Sequence, residues 1–117
     1  MRFTRSGGQS GRGPEDWFTG TVFIDGIRNP DDQSAVGCAH VRFTPGARTA
    51  WHTHPKGQTL YVTDGIGFVA TRNGGVRRSA PATSSTSSRV RSTGTARRPT
   101  VSWHMSRSRK LTLAETW

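Results

Sequence analysis

The chain has 117 residues, with 17 lysines and arginines against 7 acidic residues, and a formal net charge of +10 at pH 7. This length supports one domain, and a single cysteine, Cys38, excludes an intramolecular disulfide. No apolar stretch approaches the roughly 18 residues of a transmembrane helix, and no apolar segment typical of a signal peptide follows the basic N-terminus. We therefore expect a cytoplasmic protein with no membrane partner.

Short alternating segments punctuated by Gly and Pro predict an all-β domain. In chain order, strands are expected at residues 18–24, 36–43, 50–54, 59–63 and 66–71. Within the second strand, side-chain alternation places Ala39, Val41 and Phe43 on the core face. His40 and Arg42 then lie on the opposite face, where a histidine is more often a surface residue than a ligand.

The basic charge is concentrated after these strands. Residues 1–71 hold 7 basic and 6 acidic side chains, whereas residues 72–117 hold 10 basic side chains and one acid, Glu115. From residue 79 the chain is rich in Ser, Thr and Arg, and its apolar residues are too sparse for a buried strand or an amphipathic helix. Such composition is typical of disorder. We therefore divide the chain into a β-barrel part, 1–78, and a low-complexity basic tail, 79–117.

One segment carries metal-ligand chemistry. His52 and His54 are one residue apart on an extended segment, so their side chains point to the same face. Gln58 follows four residues later, after a Pro and a Gly. Two imidazoles and an amide oxygen suit Mn, Fe, Ni, Zn or Cu. The sequence therefore predicts one divalent metal ion held by His52, His54 and Gln58, and it identifies no catalytic residue.

The spacing of this segment resembles the first motif of the cupins. The pattern G-x5-H-x-H-x3-Q-x6-G runs from Gly46 through His52, His54 and Gln58 to Gly65. The family usually has Glu at the position of Gln58. The resemblance implies a cupin-type jelly-roll barrel that binds a metal and a small-molecule substrate.

Two longer stretches, residues 13–22 and 47–55, resemble a narrower group of small bacterial cupins that includes the manganese-dependent hydroxynitrile lyases. This resemblance implies manganese, although iron, nickel and zinc also suit the ligands. It further implies a lyase that adds cyanide reversibly to aldehydes. Because cupins commonly pair their sheets, a homodimer or higher homo-oligomer is expected.

The resemblance ends before the tail. The family needs a further histidine from a second motif, and residues 79–117 show no such pattern. His104 lies among Ser, Arg and Met without strand alternation, so we do not assign it to the site. Read out of frame, the codons of residues 91–96 can encode E-H-W-H-G, and those of residues 102–110 M-A-H-V-A-I-Q-E, which resemble the missing segments. We interpret the tail as frameshifted and disordered, the barrel as incomplete and the enzyme as impaired; a natural basic tail is the alternative.

Two other function classes stay open. A cupin without metal can bind a sugar or another small ligand non-catalytically. Alternatively, the basic tail can bind nucleic acid non-specifically through phosphates. No aromatic residue lies between Phe68 and Trp103 to form a stacking platform, and no nucleic-acid-binding motif occurs, so no specific nucleic-acid partner is expected.

Overall fold

The computed structural model describes Phe3, Arg5 and residues 9–54, 56–71, 75–82, 84–87, 101–105 and 109–116. In 85–87, 101–105 and 109–116 it describes the main chain alone. Its strands are β1 Gly11–Arg12, β2 Phe18–Thr19, β3 Val22–Arg28, β4 Val36–Phe43, β5 Arg48–Thr49, β6 Gln58–Val62, β7 Gly67–Thr71, β8 Gly75–Ser79, β9 Ser84–Ser87, β10 Val101–Met105 and β11 Arg109–Thr116. No helix in this described part is long and apolar enough to cross a bilayer.

The strands form two sheets. Sheet A has the order β1-β3-β4-β11-β6-β9, and sheet B has the order β2-β5-β10-β7-β8. Every strand pairing in both sheets is antiparallel. The prediction of an all-β fold is therefore confirmed.

The core lies on the inner faces of the sheets. Strand β4 covers the residues predicted for it, and Val41 and Phe43 are buried on the face expected from alternation. The buried apolar residues are Val22, Val41, Phe43, Ala47, Leu60 and Val62. Phe18 packs on this cluster edge to face with Phe43, with ring centroids 5.9 Å apart. Burial of this apolar surface supplies the main favourable term for folding.

The strand predicted at residues 18–24 is divided into β2 and β3. Gly20 separates them with a φ of +83°, a conformation that side chains rarely adopt. A Cβ at this position would lie 3.0 Å from the Cα of Ala47, which is fully buried. The glycine therefore lets the chain pass from sheet B to sheet A close against the core.

Three described segments of the predicted tail are strands, which the composition of the tail did not indicate. Strand β9 pairs with β6, β10 lies between β5 and β7, and β11 lies between β4 and β6. Main-chain hydrogen bonds with neighbouring strands do not require an apolar sequence, so composition alone did not reveal them. In addition, Leu111 and Leu113 are the register partners of the core residues Val62 and Leu60. The rest of the predicted disorder, 88–100 and 106–108, lies outside the described residues.

Candidate metal centre

The segment with the two histidines is fixed at both ends by main-chain hydrogen bonds. The amide of Ala50 donates to the carbonyl of Trp17 over 2.7 Å, and the amide of Gly57 donates to the carbonyl of His54 over 3.1 Å. Gly57 has a φ of +92°, which closes this turn before β6 begins. The strand predicted at 50–54 is therefore replaced by an irregular segment after the short β5.

The rings of His52 and His54 contact each other. Their centroids are 4.9 Å apart, and the ring planes are nearly perpendicular at 86°. Nδ1 of His52 lies 2.8 Å from the carbonyl oxygen of Ala50. Because a carbonyl only accepts, this nitrogen carries the proton, and Nε2 is the nitrogen with a lone pair for a metal. The partnership with Ala50 could not be predicted, because any residue can supply a main-chain carbonyl.

Both imidazoles are partly withdrawn from solvent. His52 and His54 are half-buried, and Nε2 of His54 is shielded from water. Gln58, the first residue of β6, is only 6% exposed and shares the inward face of the strand with Leu60 and Val62. The amide side chain therefore starts from the core side of sheet A.

These residues have the chemistry that a divalent ion of the first transition series accepts. Imidazole nitrogen and amide oxygen are suitable ligands for manganese, iron, nickel and zinc. Across the described ranges, no group of three or more His, Cys, Asp and Glu comes together. The oxygen of Gln58 is the third protein ligand that the sequence predicts beside the two histidines. Convergence of all three side chains on one point stays a prediction.

His40 belongs to a different cluster, on the outer face of sheet A. Its Nδ1 lies 3.9 Å from the carboxylate of Asp25, and Nε of Arg42 lies 3.4 Å from the same oxygen. A hydrogen bond from Ser10 lowers the pKa of Asp25, partial burial opposes this effect, and the charges of Arg42 and His40 add to the lowering. This ionic cluster has its own partners and supplies no ligand to the two-histidine segment.

Three other residues of possible chemical interest have described positions. Cys38 is half-buried, and desolvation raises the pKa of its thiol, as is typical of an unreactive cysteine. Trp51 is 44% exposed, at the bend that replaces the strand predicted at 50–54. His104 lies on a strand after all, in register with Arg48 and Phe68 on sheet B.

Comparison with known proteins gives one related enzyme. No family model matches the chain. The (R)-mandelonitrile lyase of Granulicella tundricola is 54% identical over 82 residues, which are 69% of this chain and 63% of the relative. The chain thus spans less than two thirds of the length of that enzyme.

Solved structures share the architecture over nearly the whole chain. A cupin-like protein from Thermotoga maritima has a TM-score of 0.73 and 28% identity, covering 99% of this chain and 81% of its own. An acetylacetone dioxygenase from Acinetobacter johnsonii has a TM-score of 0.75 at 13% identity, covering 99% of this chain and 73% of its own. An RmlC-like cupin from Shewanella frigidimarina has a TM-score of 0.72 at 15% identity, covering 99% and 90%. At such low identity the last two support the fold alone.

Proposed function

We propose that this chain, which belongs to the cupin superfamily, is a metal-dependent lyase of small cyanohydrins, with one divalent ion held by His52, His54 and Gln58. The observation that carries the proposal is the contact of the two histidine rings on a segment pinned between β5 and β6. The relationship to a mandelonitrile lyase supports the choice of reaction.

The protein fixes the ligands before any ion arrives. The hydrogen bond from His52 to the Ala50 carbonyl sets the tautomer and limits rotation of the ring. His54 is held by the turn that ends at Gly57. Rigid ligands reduce the entropy that binding would otherwise cost, so this segment favours retention of a metal.

The ligand set is uncharged. Two neutral imidazoles and an amide leave the full charge of a divalent ion in place, whereas the Glu usual in the family would cancel part of it. The bound ion would supply Lewis acidity toward the oxygen of a cyanohydrin or aldehyde. Gln58 thus favours polarisation of oxygen at the expense of affinity for the metal.

The inward face of β6 beyond Gln58 is apolar, which is compatible with a small organic substrate. Leu60 and Val62 follow Gln58 on the same inward face, and Phe43 is buried in the same cluster. In the proposed reaction the bond between the carbinol carbon and the nitrile carbon breaks, the hydroxyl loses its proton, and an aldehyde and hydrogen cyanide leave.

We also propose that the present chain is an impaired form of its parent. The second cupin motif would supply a further histidine, and the segment after residue 79 lacks that pattern in the frame as written. Strand β10 nevertheless overlaps the start of residues 102–110, where the offset frame can encode M-A-H-V-A-I-Q-E. This overlap supports a shifted frame, because the main chain forms a strand although its own side chains lack the alternating pattern of a strand.

Metal analysis with paired histidine variants tests the proposal. The full chain is loaded with manganese, freed of excess metal, and assayed for bound metal and for mandelonitrile cleavage. His52→Ala should lose the metal, whereas His40→Ala, the same change in the Asp25 cluster, should keep it. Unchanged metal content in His52→Ala would contradict the site. Binding of a sugar or aldehyde without any metal would favour the non-catalytic alternative.

A further inference from the structure

The strands of sheet B, as described, are basic and contain no acidic residue. Arg48 lies in β5, and Arg77 and Arg78 lie in β8, while no strand of this sheet contains Asp or Glu. Sheet A differs, since Asp25 in β3 balances Arg42 and His40 at short range. Sheet B therefore presents positive charge that its own strands do not neutralise.

The register aligns two of these arginines with an aromatic ring. Arg48 of β5 is paired with His104 of β10, which is paired with Phe68 of β7, which is paired with Arg78 of β8. Directly paired residues of an antiparallel sheet share one face. The four positions therefore form one row across four neighbouring strands.

This row lies on the outer face of sheet B. Val69, the neighbour of Phe68, packs against the core, so Phe68 has the opposite orientation. Arg48 and Arg78 are exposed, and Phe68 is half-buried. With neighbouring strands about 4.8 Å apart, the two arginine positions lie roughly 14 Å from each other with the ring position between them.

Two cations on either side of an aromatic ring match the chemistry of a single nucleic-acid strand. Its phosphates are neutralised by arginine with release of counterions, and its bases stack on aromatic faces whatever their identity. We infer that the outer face of sheet B binds single-stranded nucleic acid through Arg48, Phe68 and Arg78, without sequence preference. The tail has no aromatic residue before Trp103, but the register places Phe68 of β7 in one row with the two arginines.

The charge contribution can be tested with matched arginine variants of the full chain. Binding of a fluorescently labelled 16-nucleotide oligo(dT) is followed by anisotropy as a function of salt. Arg48→Gln and Arg78→Gln should each lower the slope of log K against log salt by about 0.7, the value for one phosphate contact on a single strand. Arg12→Gln, the same charge change on the edge strand of sheet A, should leave the slope unchanged. An equal loss in all three variants would overturn the proposal.

The stacking contribution has a separate readout. Phe68→Leu should weaken oligo(dT) binding by about 5- to 100-fold and leave binding of inorganic polyphosphate, which has no bases, unchanged. Equal losses for both ligands would mean that Phe68 only supports the sheet, which would overturn the proposal. Failure of the wild-type chain to bind the oligonucleotide would also overturn the proposal, even if sedimentation showed that the chain forms a dimer.

Discussion

Nδ1 of His52 is hydrogen-bonded to the carbonyl oxygen of Ala50, two residues earlier in the chain, over 2.8 Å. A histidine whose tautomer is set by a main-chain acceptor presents Nε2 to a ligand without further adjustment. The same carbonyl would be present with any residue at position 50. The orientation of the candidate ligand is therefore independent of the side chain that helps to fix it.

The Gln58→Glu variant should bind metal more strongly than the wild type and should be less stable than the wild type when no metal is present. Position 58 is 6% exposed, so a carboxylate there is desolvated unless an ion compensates its charge. We expect a lower Tm without metal and a larger rise in Tm on adding manganese than in the wild type. Gln58→Leu, which lacks the oxygen, should show the smallest rise. The same rise in all three proteins would mean that position 58 is not a ligand.

Val41→Ala should lower the free energy of unfolding by about 2 kcal/mol, because it removes buried methyl groups and leaves a cavity. Val41 is 1% exposed at the centre of the core cluster. Val76→Ala is the matched control, since Val76 is 67% exposed and its change should stay within about 0.5 kcal/mol. Urea unfolding of both variants measures the difference, and equal effects would show that the core is assigned wrongly.

Gly20→Ala should destabilise the protein more than Gly46→Ala. Both glycines have positive φ, +83° and +78°, so both changes carry a backbone cost of about 1 kcal/mol. Only at Gly20 would the new Cβ meet another residue, Ala47, at 3.0 Å, while Gly46 has nothing within 4 Å. Thermal unfolding of the pair isolates the steric part. A larger loss at Gly46 would contradict the described crossing between the sheets.

Asp25→Asn should reduce the loss of stability in acid. The pKa of Asp25 is lowered on folding by the Ser10 hydrogen bond, against partial desolvation, and by Arg42 and His40. A lowered pKa stabilises the fold above the ordinary value of 3.8, and this contribution disappears as pH falls through the folded value. The free energy of unfolding should therefore fall less between pH 7 and pH 3 in Asp25→Asn than in Asp32→Asn, which is the same change in an exposed loop. Equal differences would show that the cluster does not contribute.

Restoring the offset frame near Arg78 and Ser79 should increase metal retention and solubility together, because a second ligand motif and alternating strands return at once. Bound manganese and mandelonitrile cleavage are compared between the present and the restored chains. Sequencing of the codons for residues 76–80 shows whether a base is missing. Equal metal binding and turnover in the two chains would make the frameshift interpretation wrong.

Local patterns predicted the first strands well and the later ones poorly. The bounds of β4 followed from its alternation, since one face is buried and the other carries polar side chains. The break at Gly20 depends on a contact with Ala47, 27 positions later in the sequence numbering, and leaves no local pattern beyond the glycine itself. Strand β9, with the sequence SSTS, owes its place to pairing with β6.

Local sequence likewise predicted one part of the candidate site and missed another. The close spacing of His52 and His54 predicted neighbouring rings, and their centroids are indeed 4.9 Å apart. The prediction of a strand at residues 50–54 was wrong, since regular pairing ends with β5 at Thr49 and the chain bends at Trp51. The row of Arg48, Phe68 and Arg78 could not be predicted, since it depends on the register of strands distant in sequence.

The position of β11 determines the order in which the barrel can be assembled during synthesis. It is the last described strand in the chain, yet it lies inside sheet A with β4 on one side and β6 on the other. Until the ribosome has released it, the facing edges of β4 and β6 have no strand between them. Exposed strand edges pair readily with other chains. The nascent protein therefore passes through a stage at which a chaperone that covers strand edges would raise its yield.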